Sequence, residues 1–266
     1  AGCGGGNKPA ETTAAPAAAE TTAAAADTTA APEKSEAETE AEAKDDAASG
    51  DLIVVGYAQV GAESDWRTAN TESFKSTFTE ENGYKLIFDD AQQKQENQIK
   101  AIRSFIQQDV DYIVVAPVVE TGWEAVLQEA QEAGIPVILS DRQMDVDESL
   151  YECWVGGNFI KEGETAGNWL ADYLKAQGRD GEDINIVTLQ GTIGASAQVG
   201  RTEGFGNILK QHDNWKMLDM QTGEFTQAKG QEVMESFLKS YDDIDVVVAE
   251  NDNMAFGAID AIKAAG

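Results

Sequence analysis

Leu52-Ile-Val-Val-Gly-Tyr-Ala-Gln-Val-Gly-Ala-Glu-Ser-Asp-Trp-Arg67 decides the fold. Its apolar run, Leu52 to Ala58, takes its β-branching from Ile53, Val54 and Val55, and it leads through Gly61 into a helical pattern from Thr68 to Glu81. A short buried strand feeding a helix is the opening unit of an open, parallel α/β sheet. Ligands of such sheets sit at the carboxyl ends of the strands. That rule puts Glu63, Ser64, Asp65, Trp66 and Arg67 at the mouth of a cleft: two carboxylates, a hydroxyl, an indole face and a guanidinium fork.

Working outward, the alternation repeats. Strand patterns at Tyr84 to Asp89, Tyr112 to Ala116 and Pro136 to Ser140 are separated by helices over Gln92 to Gln108 and Gly122 to Ala133. The first of these helices carries Ile99, Ile102, Phe105 and Ile106 on one face. Four strands alternating with three helices make a doubly wound half. The pattern restarts after a short strand or crossing segment at Cys153 to Gly156. Helices over Asn158 to Ala176, Ser196 to Gln211, Thr226 to Ser240 and Asn253 to Ala265 follow, with strands over Asn185 to Gln190, Trp215 to Thr222 and Val246 to Glu250. The expected architecture is α/β with two lobes, each a doubly wound parallel sheet with flanking helices, joined near Met144 to Val155 around a cleft. The expected divisions are 1–50, 51–150 and 151–266. The last lobe reads as incomplete, because Ala264-Ala265-Gly266 is a helix end where another strand is expected.

Residues 1–50 are almost entirely Ala, Thr, Glu, Gly and Asp with no aromatic, a composition suited to a disordered tether rather than a core. The formal charge is −29; this segment holds 10 acids and 3 bases, so the remaining 38 acids and 16 bases leave −22 on the rest. Such acidity makes phosphate backbones and anionic lipid surfaces poor partners. No stretch reaches the roughly 18 apolar residues of a membrane helix. Two cysteines, Cys3 and Cys153, and one histidine, His212, supply no disulfide pattern and no metal-ligand set, and no cofactor motif is present. Ala1-Gly2-Cys3 reads as the end of a bacterial lipoprotein signal, with Cys3 as the lipidated residue ahead of a polar tether; the alternative is an arbitrary cysteine in a loose end.

Polar groups recur at strand ends. Asp141-Arg142 sets an acceptor-only carboxylate beside a five-donor guanidinium, suited to adjacent hydroxyls that both donate and accept; a surface ion pair is the alternative. Trp66 can pack against the apolar face of a sugar ring while Arg67 takes a hydroxyl; the alternative is an indole that only adds buried area. Trp123 reads as core or cleft wall, Arg201 as a residue projecting into the cleft from a helix start or lying on a solvated helix face, and Asn251 with Asp252 as another strand end. Gln190-Gly-Thr-Ile-Gly-Ala-Ser196 lacks both the P-loop ending and the Gly-x-Gly-x-x-Gly spacing, so nucleotide binding is unsupported. Catalysis is unsupported too: His212 falls in a polar loop expected to be exposed, and Cys153 has no histidine to activate it.

Together, Val55-Gly-Tyr-Ala-Gln-Val-Gly-Ala-Glu-Ser-Asp-Trp-Arg67, Gln92-Gln-Lys-Gln-Glu-Asn-Gln98, Ala116-Pro-Val-Val-Glu-Thr-Gly-Trp123, Ser140-Asp-Arg142, Leu189-Gln-Gly-Thr-Ile-Gly-Ala-Ser196 and Asn251-Asp-Asn-Met-Ala-Phe-Gly-Ala-Ile259 resemble the periplasmic sugar-binding proteins of ABC importers. The likeness is to the ribose-binding type with the periplasmic-binding-protein type I fold, and within it to the galactofuranose-binding branch, over Leu52 to Gly266. It implies a non-enzymatic, cofactor-free, monomeric protein that closes on a monosaccharide, a furanose or pentose, and presents it to the permease subunits of an ABC importer. The location implied is extracytoplasmic, either periplasmic or lipid-anchored on the outer face of the cell membrane. By position, Glu63 to Arg67, Asp141, Arg142, Arg201 and Asn251 match binding positions of the family, and Phe225 matches an aromatic of the related ribose binders. Asp65 stands where the family pattern leads one to expect Gly. Three other readings use the same scaffold. A sensory receptor signalling to a chemoreceptor or sensor kinase shares the sequence features. A sugar-responsive transcription regulator needs a basic DNA-binding segment that residues 1–50 do not supply. An enzyme on this fold needs a nucleophile and base that the chain does not display.

Overall fold

A computed structural model of the chain describes residues 52–266. The expected 1–50 tether and Cys3 lie outside the described residues. The quoted stretch forms β1 (Ile53–Gln59) and α1 (Asp65–Thr77), and the chain continues through β2 (Tyr84–Asp90), α2 (Gln95–Gln107), β3 (Tyr112–Val115), α3 (Glu124–Glu132), β4 (Val137–Ser140) and β5 (Cys153–Val155). These strands make one five-stranded parallel sheet in the order β2-β1-β3-β4-β5. Beyond it lie α4 (Phe159–Ala176), β6 (Ile184–Gln190), α5 (Ser196–Leu209), β7 (Trp215–Thr222), α6 (Gln227–Ser240), β8 (Val246–Ala249) and α7 (Asp252–Ala265). Their strands form a second parallel sheet, β7-β6-β8.

The parallel α/β fold of the sequence reading is thus present in both sheets. β5 lies past residue 150, where that reading parts the lobes, yet it pairs in register with β4. Among the helix boundaries that differ from expectation, two have a clear backbone cause. The helix expected to reach Glu81 stops at Thr77, and a 3-10 turn at Glu80–Asn82 closes on Gly83 with φ 86°, a left-handed conformation that glycine adopts without steric cost. The helix expected from Gln92 begins at Gln95, because Gln92 and Gln93 are themselves left-handed (φ 53° and 59°). Gln93 donates its N–H to the Val60 carbonyl at 2.7 Å, which ties this turn to the end of β1.

Each sheet is covered on both faces. In the first, Ala58, Ile102, Phe105, Ile113 and Leu127 pack on one side, and Val55, Tyr57 and Val114 pack with Phe74 and Phe88 on the other. In the second, one cluster gathers Val187, Leu189, Phe237 and Met254, and the other Leu174, Ile186, Phe205 and Trp215. Trp123 is core: it is fully buried and donates its indole N–H to the Val119 carbonyl at 2.7 Å. His212, expected to be exposed, is half-buried with its ring stacked on Trp215 at 4.1 Å between centroids. A flat apolar face was available to it beside the loop, which sequence periodicity does not reveal.

Candidate functional site

Both sheets present the carboxyl ends of their strands to one pocket of about 550 Å³. That volume falls in the range of small-molecule sites. Glu63, Ser64, Asp65, Trp66, Arg67, Asp141, Arg142, Arg201, Phe225 and Asn251 all line it. The structure thus brings together the residues named at strand ends, Arg201 named at a helix start and Phe225 named from the family resemblance.

The first wall begins at the α1 cap. Ser64 is extended (φ −148°, ψ 161°), and its hydroxyl accepts the Arg67 N–H at 3.1 Å, so the helix starts with Trp66 and Arg67 in its first turn. Arg67 is only 2% exposed. Its Nε donates to Glu63 Oε1 at 3.0 Å, and its Nη2 donates to Asp141 Oδ2 at 2.6 Å. Burial works against its charge, but Asp141 and then Glu63 outweigh it, and the guanidinium pKa is raised. Trp66, 56% exposed, lies at the rim, its ring 4.8 Å from the Arg67 guanidinium carbon.

Arg142, also 2% exposed, donates to the Val118 carbonyl at 3.1 Å and reaches Glu63 Oε1 at 3.5 Å. Burial, and then the neighbouring Arg67 charge, lower its pKa to about 10. Asp141 is held left-handed at φ 64°, an uncommon conformation for a side-chain-bearing residue. β5 explains how it is kept: Asp141 N–H donates to the Val155 carbonyl at 2.7 Å, and the Trp154 indole donates to the Asp141 carbonyl at 3.1 Å. Two buried atoms here have no hydrogen-bond partner among the described residues, Glu63 Oε2, an acceptor, and Arg142 Nε, a donor.

The second wall is set by α4, α5, β7 and β8. Arg201 donates from Nε to Glu162 Oε2 at 2.9 Å and from Nη1 to the Glu250 carbonyl at 2.7 Å, with Phe159 beneath its guanidinium at 5.1 Å. Phe225 is buried and left-handed at φ 62°, and it lies 5.1 Å from the Arg142 guanidinium carbon, a cation–π contact that joins the two walls. Its ring rests on Gly191, where any Cβ would overlap it. Asn251 lines the pocket, but its side chain already serves the protein. Its Oδ1 accepts from Met254 N–H at 3.0 Å to cap α7, and its Nδ2 donates to the Phe225 carbonyl at 2.9 Å.

Further bonds join the segments of the first sheet to those of the second, the first of them between two lining residues. Asp65 N–H donates to Asn253 Oδ1 at 3.2 Å, Glu120 N–H to the Gly194 carbonyl at 2.8 Å, and Gln143 N–H to Ser196 Oγ at 2.9 Å. Glu250, Glu162, Phe159 and Asn253 line the pocket without having been singled out from sequence. Glu250 was within reach of the strand-end rule, being the residue directly after Ala249. Phe159 and Glu162 sit on a helix face and carry no such signal. No cluster of three or more His, Cys, Asp or Glu suited to a metal occurs among the described residues, and no described helix is long and apolar enough to cross a membrane.

Two parallel α/β sheets whose strand ends supply arginines, carboxylates and aromatics to one shared pocket define the class of two-lobed binding proteins. The chain belongs to the periplasmic binding protein domain family, whose model matches residues 55–266. It is 50% identical over 218 residues to the galactofuranose-binding protein YtfQ of Escherichia coli (strain K12), covering 80% of this chain and 67% of that protein. It is 34% identical to the ribose import binding protein RbsB of Bacillus subtilis (strain 168), covering 69% of this chain and 57% of that protein. This chain therefore spans 57% to 67% of the length of these two relatives. Among solved structures, a Mycobacterium smegmatis protein in complex with β-D-fucofuranose is 53% identical with a TM-score of 0.77, covering 81% of this chain and 70% of that one. The binding protein of the arabinose ABC transporter from Shewanella sp. ANA-3, bound to α- and β-L-arabinofuranose, is 50% identical with a TM-score of 0.75, covering 80% and 69%.

Proposed function

We propose that the protein is the substrate-binding component of an ABC sugar importer and that it captures a neutral monosaccharide in furanose form. The observation that carries this reading is the unpartnered pair Glu63 Oε2 and Arg142 Nε, on buried side chains of residues that line the pocket. A buried donor or acceptor without a partner is unfavourable by about 1–3 kcal/mol, and a sugar hydroxyl, which donates and accepts, relieves both kinds. The pocket lining holds six carboxylates, Glu63, Asp65, Asp141, Glu162, Glu250 and Asp252, against three arginines. All three arginines already contact protein carboxylates. This balance disfavours sugar acids and sugar phosphates. The relatives named for galactofuranose and arabinofuranose, and the fucofuranose complex, support the ring form.

On this reading the division into an N-terminal and a C-terminal sugar-binding lobe applies, the protein acts as a monomer without catalysis, and its partners are the sugar and the permease subunits. Its location is extracytoplasmic. Ala1-Gly2-Cys3 supports lipid attachment at Cys3. Calorimetric titration with L-arabinose, D-galactose, D-fucose and D-ribose, beside D-glucuronate and glucose 6-phosphate, tests the sugar assignment. Saturable binding of a neutral sugar is expected, and binding confined to the anionic compounds, or none, overturns it. Cys3→Ser is expected to release the protein from the membrane fraction of cells expressing it; retention there argues against the anchor.

A further inference from the structure

The buried Glu250 has no place in the sugar contacts described above. It is 6% exposed and directly follows β8, on the second wall of the pocket. Its Oε2 accepts the Gly191 N–H at 2.7 Å, and its Oε1 accepts the Thr202 hydroxyl at 2.6 Å. The direction of the second bond is fixed, because Thr202 Oγ1 already accepts from Gln190 Nε2 at 2.9 Å and Gln198 Nε2 at 3.1 Å. Gln198 Oε1 in turn accepts the Gly194 N–H at 3.1 Å. The bonds run in a ring from Gly191 through Glu250, Thr202 and Gln198 to Gly194, so both ends of one four-residue turn are held by a single carboxylate network. This turn meets a segment of the first sheet at the Gly194 carbonyl, which accepts the Glu120 N–H; Ser196, at the start of α5 just beyond it, accepts the Gln143 N–H, and Gly191 supports the Phe225 ring.

We propose that Glu250 is a positioning residue for sugar capture: its ionised carboxylate holds the Gly191 to Gly194 turn in the shape that meets the first sheet and seats Phe225. This inference rests on the sugar-binding reading. Both carboxylate oxygens face donors, so a protonated Glu250 brings a hydrogen where each neighbour also offers one, and the ring opens. The charged group facing Glu250 is Arg201 on α5, which is paired with Glu162 on α4; Asp252 at the start of α7 lines the same pocket, and the neighbours from β6, Gln190 and Gly191, do not titrate. Burial pushes the Glu250 carboxyl up to about 7, against the pull of Thr202, Gly191 and Arg201. Capture is therefore expected to weaken as the medium acidifies through neutrality.

The test is affinity for the neutral sugar of the panel that binds most tightly, measured between about pH 5.5 and 8.5, together with amide hydrogen exchange at Gly191 and Gly194 in the sugar-free protein. Wild type is expected to lose affinity about tenfold across the acid limb, the equivalent of one charge-assisted hydrogen bond. Glu250→Gln is expected to bind at that weaker level at every pH, with faster exchange at both glycines. Thr202→Val keeps the carboxylate but removes a donor, and is expected to shift the wild-type midpoint upward; it serves if Glu250→Gln does not fold. A flat wild-type profile, or a Glu250→Gln variant that matches wild type in affinity and exchange, overturns the proposal. If no sugar binds wild type at any pH, the sugar reading fails by itself, while the exchange rates still decide whether Glu250 holds the turn.

Discussion

At the residue scale, Glu63 is the hinge of the charge arrangement, because Arg67 and Arg142 both reach its Oε1. Two guanidiniums this close are tolerated only with a carboxylate between them, and removing one partner of a buried charge group leaves the others uncompensated. Glu63→Gln is accordingly expected to lower stability by about 3 kcal/mol in denaturant unfolding and to abolish sugar binding. Asn251 separates two roles that sequence merges. Asn251→Asp retains an acceptor for the Met254 N–H and so keeps the α7 cap, but it sets a carboxylate against the Phe225 carbonyl. Its expected signature is a near-wild-type melting temperature with affinity reduced by about tenfold or more. If affinity is unchanged, Asn251 does not seat Phe225. The residue types at strand ends were legible from sequence because strand and helix periods locate those ends. Which polar atoms remain free for a ligand was not, since that depends on partners far away in the chain, 79 positions between Glu63 and Arg142 and 188 between Asp65 and Asn253.

At the element scale, short segments set the geometry of the site. β5 is three residues long, yet its Val155 carbonyl and Trp154 indole hold Asp141 left-handed. Trp154→Phe keeps the ring and removes the donor. Measured by calorimetry, it is expected to weaken sugar binding several-fold with a stability loss near 1 kcal/mol, the net value of one hydrogen bond. The β6–α5 turn depends on Gly191 for a different reason. Gly191→Ala drives a methyl into the Phe225 ring, and overpacking of this kind typically destabilises by about 1–3 kcal/mol. Displacement of Phe225 from Arg142 is expected to accompany it, read as loss of binding. The sequence showed this segment as a glycine-rich turn without a phosphate-loop spacing. It could not show the clash, because Phe225 arrives from the end of another strand.

At the scale of the whole molecule, groups from both sheets bound the same pocket, so a ligand that contacts both favours the bridged arrangement. Small-angle scattering is expected to show compaction on saturation with the bound sugar, and an unchanged radius of gyration would count against that. Stability and capture should also respond to acid in opposite directions through Glu250. With its usual carboxyl value near 4.5 raised to about 7, the folded protein holds this proton more tightly than the unfolded chain. Its contribution is complete below 4.5 and is lost as pH rises through 7. Relative to Glu250→Gln, wild type should therefore lose up to about 3 kcal/mol of unfolding free energy between acid and alkaline limits, at about 1.4 kcal/mol per pKa unit. Sugar affinity should rise over the same interval. Alternating apolar runs and helical periods, read from the sequence alone, determined the parallel α/β architecture and the strand ends that line the pocket, because those signals are local and repeat with the period of the backbone. Only the tertiary structure decided that β5 completes the first sheet, that the Asn251 side chain bonds the Phe225 carbonyl and that Glu250 closes a ring around the Gly191 turn. Hydrogen bonds and ring contacts between distant segments carry no periodicity, and burial, which fixes their worth, exists only once the sheets are packed.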